Sequence, residues 1–261
     1  MNVGKALRSF CALLRFLTTL PIGSTRIEEA ATAFFTIPLL GLVEGFIVAI
    51  PSCIAAQVDL ELGAIVAITL HIAITGGIHL DGFADYVDGC ASHKRGEEML
   101  KVMKDPRKGS FAVIGLALIL LLSYIAFRAL LRLSFRSLPY ILAVYIASAE
   151  SMFILASSAR KPPYQGLGTI FIEAAHRRDA KYANIVLIAI LSALFTIINA
   201  IEIYLSTLAL ALLVSAAVRR DSHNKLGFVN GDVLGFCYET TRICSLLLST
   251  VFIRVVVSIF L

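Results

Sequence analysis

The chain has 261 residues, 58% of them hydrophobic and 16% charged, with a mean hydropathy of +0.86 and a formal net charge of +5. Soluble domains average about 45–50% apolar and about 25% charged residues. An ordinary soluble domain is therefore excluded, and an integral membrane protein surrounded by lipid, with no nucleic-acid partner, is expected. The five cysteines (Cys11, Cys53, Cys90, Cys237 and Cys244) are dispersed and include no Cys-x-x-Cys pair, which argues against a disulfide framework or a zinc site.

In chain order, residues 3–20 come first. Lys5, Arg8 and Arg15, with Leu7, Phe10, Leu14 and Leu17 on a shared face, suit an amphipathic helix ended at Pro21. It would lie on the membrane or pack against a helix bundle. Arg15 interrupts the apolar core that a signal peptide would need. A hydrocarbon layer about 30 Å thick takes roughly 20 apolar helical residues. Segments 34–57, 62–78, 111–131, 139–158, 183–200, 203–218 and 243–261 qualify, although the second, sixth and seventh are short or terminal. The expected fold class is all-α: a polytopic transmembrane helix bundle of about seven spans plus the N-terminal helix, forming one domain over 1–261. Glu44 and Glu150 fall within spans, where ionisable groups face the protein interior, most simply as hydrogen-bonded structural glutamates. Arg128 and Arg254 reach toward the interface.

Of the 23 Lys and Arg residues, all but Arg128, Arg132, Arg136 and Arg254 lie in the N-terminal segment or in three polar stretches, 79–110, 159–182 and 219–242. This bias places the N-terminus and those stretches in the cytoplasm. As loops on one face, they can converge on a single active site.

The first stretch contains His79-Leu-Asp81-Gly-Phe-Ala-Asp85-Tyr-Val-Asp88-Gly89, preceded by Gly76-Gly77. Spacings of four and three residues put Asp81, Asp85 and Asp88 on one helical stripe. Such carboxylates beside hydrocarbon call for a partner cation, and oxygen-only donors favour magnesium or calcium. The bland reading is a solvated acidic loop, against which the helical spacing amid Gly and apolar residues argues. His79 suits a phosphate hydrogen bond or an ordinary interfacial place. The two glycines suit a helix break.

Next, Lys104-Asp105-Pro106-Arg107-Lys108-Gly109-Ser110 opens the third span. Cations beside a glycine at a helix start suit a phosphate clamp, and equally suit a topology signal or a contact with anionic lipid. Finally, Asn230-Gly231-Asp232-Val-Leu-Gly235-Phe-Cys-Tyr-Glu239 puts Asp232 and Glu239 on one helical face. They can serve a metal or accept a proton, or Asp232 can simply cap a helix. Arg219, Arg220 and Lys225 add positive charge upstream.

Residues 76–89 and Met103-Lys-Asp-Pro-Arg-Lys-Gly-Ser-Phe111 together closely resemble the cobalamin synthase family, the adenosylcobinamide-GDP ribazoletransferases. Phe16-Leu-Thr-Thr-Leu-Pro21 and Gly231-Asp-Val-Leu-Gly235 resemble its further motifs, in the expected order. The resemblance implies a magnesium-dependent membrane enzyme that joins adenosylcobinamide-GDP to α-ribazole or its 5′-phosphate and releases GMP. It implies metal ligation by Asp81, Asp85 and Asp88, phosphate contacts from Lys104 and Arg107 beside Lys108 and Gly109, and Asp232 in the same site. Asp85, Asp88, Asp232 and Glu239 are the catalytic candidates, with Asp88 or Glu239 accepting the hydroxyl proton. Glu150 stands where the family pattern carries a basic residue. A homo-oligomer is left open.

Two other readings compete. A CDP-alcohol phosphotransferase would share Asp85-Tyr-Val-Asp88-Gly89, but Ser92-His93 replaces its Ala-Arg and its later aspartates are missing. A cation transporter would want its charges near the bilayer midplane rather than at the mouth of the bundle.

Overall fold

The computed structural model describes the backbone of residues 3–260 and the side chains of residues 4–253. The expectation for Arg254 and the last residue of the final expected span lie outside them. The described residues form helices α1 (Val3–Leu17), α2 (Ile27–Thr32), α3 (Ile37–Ala55), α4 (Leu60–Thr75), α5 (Ile78–Ala91), α6 (Gly96–Met103), α7 (Ser110–Leu131), α8 (Leu138–Ser158), α9 (Leu167–His176), α10 (Arg178–Ile197), α11 (Ile201–Lys225) and α12 (Gly231–Phe260). The all-α bundle expected from composition is what the chain forms. Among the described residues, α3 with its leading 3-10 turn, α7, α8, α10, α11 and α12 are long and apolar enough to cross a bilayer. The protein is an integral membrane protein.

The second expected span, 62–78, is α4, and it stops at Thr75. Gly76 and Gly77 then take left-handed conformations (φ +60° and +73°) open to glycine without strain. The chain turns by 89° into α5. Seven spans are reached only by counting this bent pair as one. The break is held from outside: Thr19 donates through its hydroxyl to Ala73 O (2.9 Å) and through its backbone N–H to Ile74 O (2.8 Å). Both carbonyls belong to the last turn of α4, where i+4 partners run out, and Ala73 O also accepts from the Gly76 N–H at 3.4 Å. The 16–21 motif thus anchors the corner.

α8 lies at the centre, the most enclosed of the candidate spans, and packs against α3, α11 and α12. α12 also lies along α5 and α7. On the periphery, α7 exposes Phe111, Ile114, Leu118, Leu121 and Ile125, and α10 exposes Ile185, Val186 and Ile190. Apolar surface this continuous is what lipid covers.

The N-terminal helix ends at Leu17, before Pro21, and buries Leu13, Leu14 and Leu17 against the protein while Leu7 stays exposed. Of the two expected placements it takes the one packed on the bundle. Other expectations change. The stretch 219–242, expected as a loop, is helical except around 226–230, because α11 runs on to Lys225 and α12 begins at Gly231. Arg242, grouped by sequence with the cytoplasmic cations, is consequently buried within the bundle. The stretches 79–110 and 159–182 also contain helices, α5 and α6 in the first and α9 and the start of α10 in the second.

Candidate active site

The site is built where α5, α9 and α12 meet. Two glycines set their spacing. A methyl group on Gly82 would lie 2.9 Å from Asp232 O, and one on Gly168 would lie 2.6 Å from Gly231 N. Only hydrogen at these positions lets the first turn of α12 enter between α5 and α9. Asn230 caps that turn, its Oδ1 accepting from Val233 N–H at 3.1 Å. Asp232 is therefore not the cap. Its carboxylate accepts a hydrogen bond from Asn230 Nδ2 (3.0 Å) and lies within electrostatic reach of Asp81 and Asp85.

α5 carries the aspartates on one stripe, as the spacing predicts, but the three do not act as one group. Asp81 and Asp85 both grip the Lys108 ammonium, Asp81 Oδ1 at 2.7 Å. Burial opposes the charge on Lys108, but the bonds to Asp81 and Asp85 outweigh it and hold its pKa above the ordinary lysine value. Asp88 turns aside to cap α7, accepting from Gly109 N–H (2.5 Å) and Ala112 N–H (2.8 Å). A carboxylate there also complements the positive end of the helix dipole. Among the described residues, no group of three or more His, Cys, Asp or Glu side chains stands ready to hold a metal ion. Of the expected Asp81–Asp85–Asp88 set, Asp81 and Asp85 share the Lys108 ammonium, while Asp88 is engaged by the start of α7.

The expected phosphate clamp divides as well. Lys104 lines the pocket, its ammonium 4.7 Å from the centre of the Tyr164 ring. Lys108 holds the aspartates, and the Gly109 N–H is taken by Asp88. Arg107 is 89% exposed and bonds to Asp105 (3.0 Å), whose carboxyl it holds down at about 2.

A cavity of about 280 Å³ opens here, and His79, Asp81, Lys104, Tyr164, Thr169 and Asp232 are among its lining residues. The first turns of α9 and α12 also face it, through Gly166–Thr169 and Asn230–Asp232. Helix N-termini present N–H groups and a positive dipole end to anions. His79 is buried and stacks on Tyr238 with ring centres 4.1 Å apart, while its Nε2 has no hydrogen-bond partner among the described residues. Tyr164 and the turn at 166–169 were not named from sequence. Their signal was Pro162-Pro163 followed by Gly166-Leu-Gly168-Thr169 before an apolar helix.

Glu239 is not in this cavity. It is fully buried, with Oε1 2.9 Å from His71 Nε2 and Oε2 accepting from Arg242 Nε at 2.8 Å. Arg242 Nη1 donates to Ser123 (3.1 Å), and nearby Tyr238 donates to Glu44 (2.6 Å). Seven residues of helix rise about 10 Å, which carries Glu239 from the rim where Asp232 sits into the bundle. Glu44 and Glu150, the latter accepting from Asn184 at 3.0 Å, are the hydrogen-bonded interior glutamates expected of them. Lys225 pairs with Asp221 (2.9 Å), which also accepts from the Tyr86 hydroxyl, so its charge is committed.

A pocket lined by Asp81, Asp232, Lys104 and two helix N-termini thus opens in a polytopic helical bundle of the membrane-protein class. The cobalamin-5-phosphate synthase profile matches residues 9–250, and the chain belongs to that family. Among its relatives is an adenosylcobinamide-GDP ribazoletransferase of Treponema denticola, 31% identical over 259 residues, covering 92% of this chain and 96% of the relative. Others of that name are from Chlorobaculum parvum (32% identical; 88% of this chain, 90% of the relative) and Geotalea daltonii (31%; 92% and 96%). No solved structure matches the chain.

Proposed function

We propose that this protein transfers the phospho-cobinamide part of adenosylcobinamide-GDP to α-ribazole or its 5′-phosphate, releasing GMP. The observation that carries this reading is a cavity lined by Asp81, Asp232, Lys104 and two helix N-termini, with Lys108 and Asp85 joined to it through Asp81. A pocket of this volume suits the diphosphate and its immediate neighbours, leaving the corrin ring outside.

Asp81 and Asp85 would hold magnesium. The donor set fits: all donors are oxygen, and two of them already converge on one positive charge. Magnesium commonly takes one or two carboxylates and fills its other places with water and substrate phosphate, so a third protein ligand is not required. When bound, it supplies charge neutralisation on the diphosphate and the departing GMP. The ribazole hydroxyl attacks the phosphorus that bears the cobinamide arm, and the bond to the GMP oxygen breaks. Lys104 and Lys108 stabilise the charge that moves onto that oxygen. With Asp88 capping α7 and Glu239 paired in the interior, Asp232 is the carboxylate placed to accept the hydroxyl proton. Arg107, paired with Asp105, stands outside as an entrance cation.

The bias of basic residues toward this end of the bundle supports a cytoplasm-facing site. The test is to give purified protein adenosylcobinamide-GDP, α-ribazole and magnesium and follow GMP and cobamide. Both should appear, and both should stop with EDTA. A folded but inactive protein would overturn the assignment, and turnover in EDTA would remove the metal.

A further inference from the structure

Beside the pocket lies a second and larger depression of about 800 Å³, separated from it by a wall of Lys104 and Tyr164, which line both. Its floor is built, not incidental. The Arg160 N–H donates to His223 Nε2 (3.1 Å) and its carbonyl accepts from Val229 N–H (3.0 Å), fixing residue 160 between α11 and the turn before α12. Phe228 meets the Tyr164 ring edge-on, with centres 5.7 Å apart and planes at 89°. From α6 and the residue that follows it, Glu97, Leu100, Lys101 and Lys104 also line the depression.

Charge here is lopsided. Lys101, Lys104, Arg160 and Lys161 line the depression against Glu97 alone. Lys161 is answered by Glu173 at 2.7 Å, but among the described residues Lys101, Lys104 and Arg160 have no carboxylate within ion-pair distance. Unanswered cations next to aromatic rings, in a space this large, match a planar base carrying a phosphate.

We infer that this depression is a binding subsite for a nucleoside 5′-monophosphate group, continuous with the diphosphate pocket across the Lys104–Tyr164 wall. The inference rests on the proposed reaction, which offers two sources of that chemistry: the GMP half of the donor and the 5′-phosphate form of α-ribazole. In either case Lys101 and Arg160 take the phosphate while Tyr164 and Phe228 border the base.

Equilibrium binding to detergent-solubilised full-length protein tests it, with GMP against guanosine and α-ribazole 5′-phosphate against α-ribazole. In at least one pair the phosphorylated member should bind about tenfold tighter or more. Lys101→Ala with Arg160→Ala should shrink that preference to under about threefold, since two charge-assisted bonds are lost. A Lys101→Gln, Arg160→Gln pair, similar in size and uncharged, should do the same. The pair that responds identifies the source. No preference in either pair, or a preference that survives both double variants, overturns the subsite. Turnover is read separately: a phosphate preference without turnover sinks only the reaction, and turnover with a preference indifferent to Lys101 and Arg160 sinks only the subsite.

Discussion

The rim of the pocket and the interior of the bundle both pair carboxylates with cations, yet they do opposite things with them. At the rim, Asp81 and Asp85 share Lys108, and the Asp81–Lys108 pair is open to water, with Asp81 64% and Lys108 32% exposed while Asp85 is 13% exposed. Such a pair is weak and exchangeable, so a ligand's charges can replace the existing partner at little cost. In the interior, Glu239 is fully buried between His71 and Arg242, and Tyr238 closes on Glu44. No solvent is at hand there to replace a lost partner, and breaking such a pair exposes an uncompensated charge to a low dielectric. The rim suits the exchange of partners, and the interior suits fixed pairing between helices. His79, stacked on Tyr238 and lining the pocket, is where the two meet.

Substitutions can sharpen or break this contrast. The largest effect is expected at the rim: Asp85→Asn should lower turnover on the order of a thousandfold or more, with an unchanged helical circular-dichroism spectrum. Near-full activity in that variant would remove Asp85 from the site. In the interior, Arg242→Met should lower stability by about 3–5 kcal/mol, read by unfolding in detergent. Adding Glu239→Gln should restore much of that loss. If the double variant is no better than the single, the pair is not the unit described.

Gly82→Ala lies between the two regions. Its methyl group would press on Asp232 O, so about 1–3 kcal/mol of stability should be lost to overpacking, together with turnover as Asp232 is displaced. An unaltered kcat would show that the α5–α12 spacing is less critical than its geometry implies. The smallest effect is expected for Arg107→Ala. Because Arg107 is exposed and paired with Asp105, turnover should change by less than about threefold, within the range of surface ion pairs. A large fall would place Arg107 on the substrate.

Much of the fold is legible in the chain itself. Hydropathy is local, so α3, α7, α8, α10 and α11 fall near their expected segments. The Gly76-Gly77 break and the one-sided stripe of aspartates follow from conformational freedom and helical period. What local pattern cannot carry is which helix end faces which side chain. Asp81, Asp85 and Asp88 are chemically alike and evenly spaced, yet α7 begins against Asp88 and takes it as a cap, leaving two. Asp232 and Glu239 share a helix face, but α12 starts at the rim and runs inward, so one reaches the pocket and the other is sealed in. Sequence by itself determined most of the membrane-spanning helices and the kinds of polar groups near the pocket. Tertiary packing decided which of those groups are free to meet a ligand, because each carboxylate's partner comes from a distant helix whose approach depends on the fit at Gly82 and Gly168.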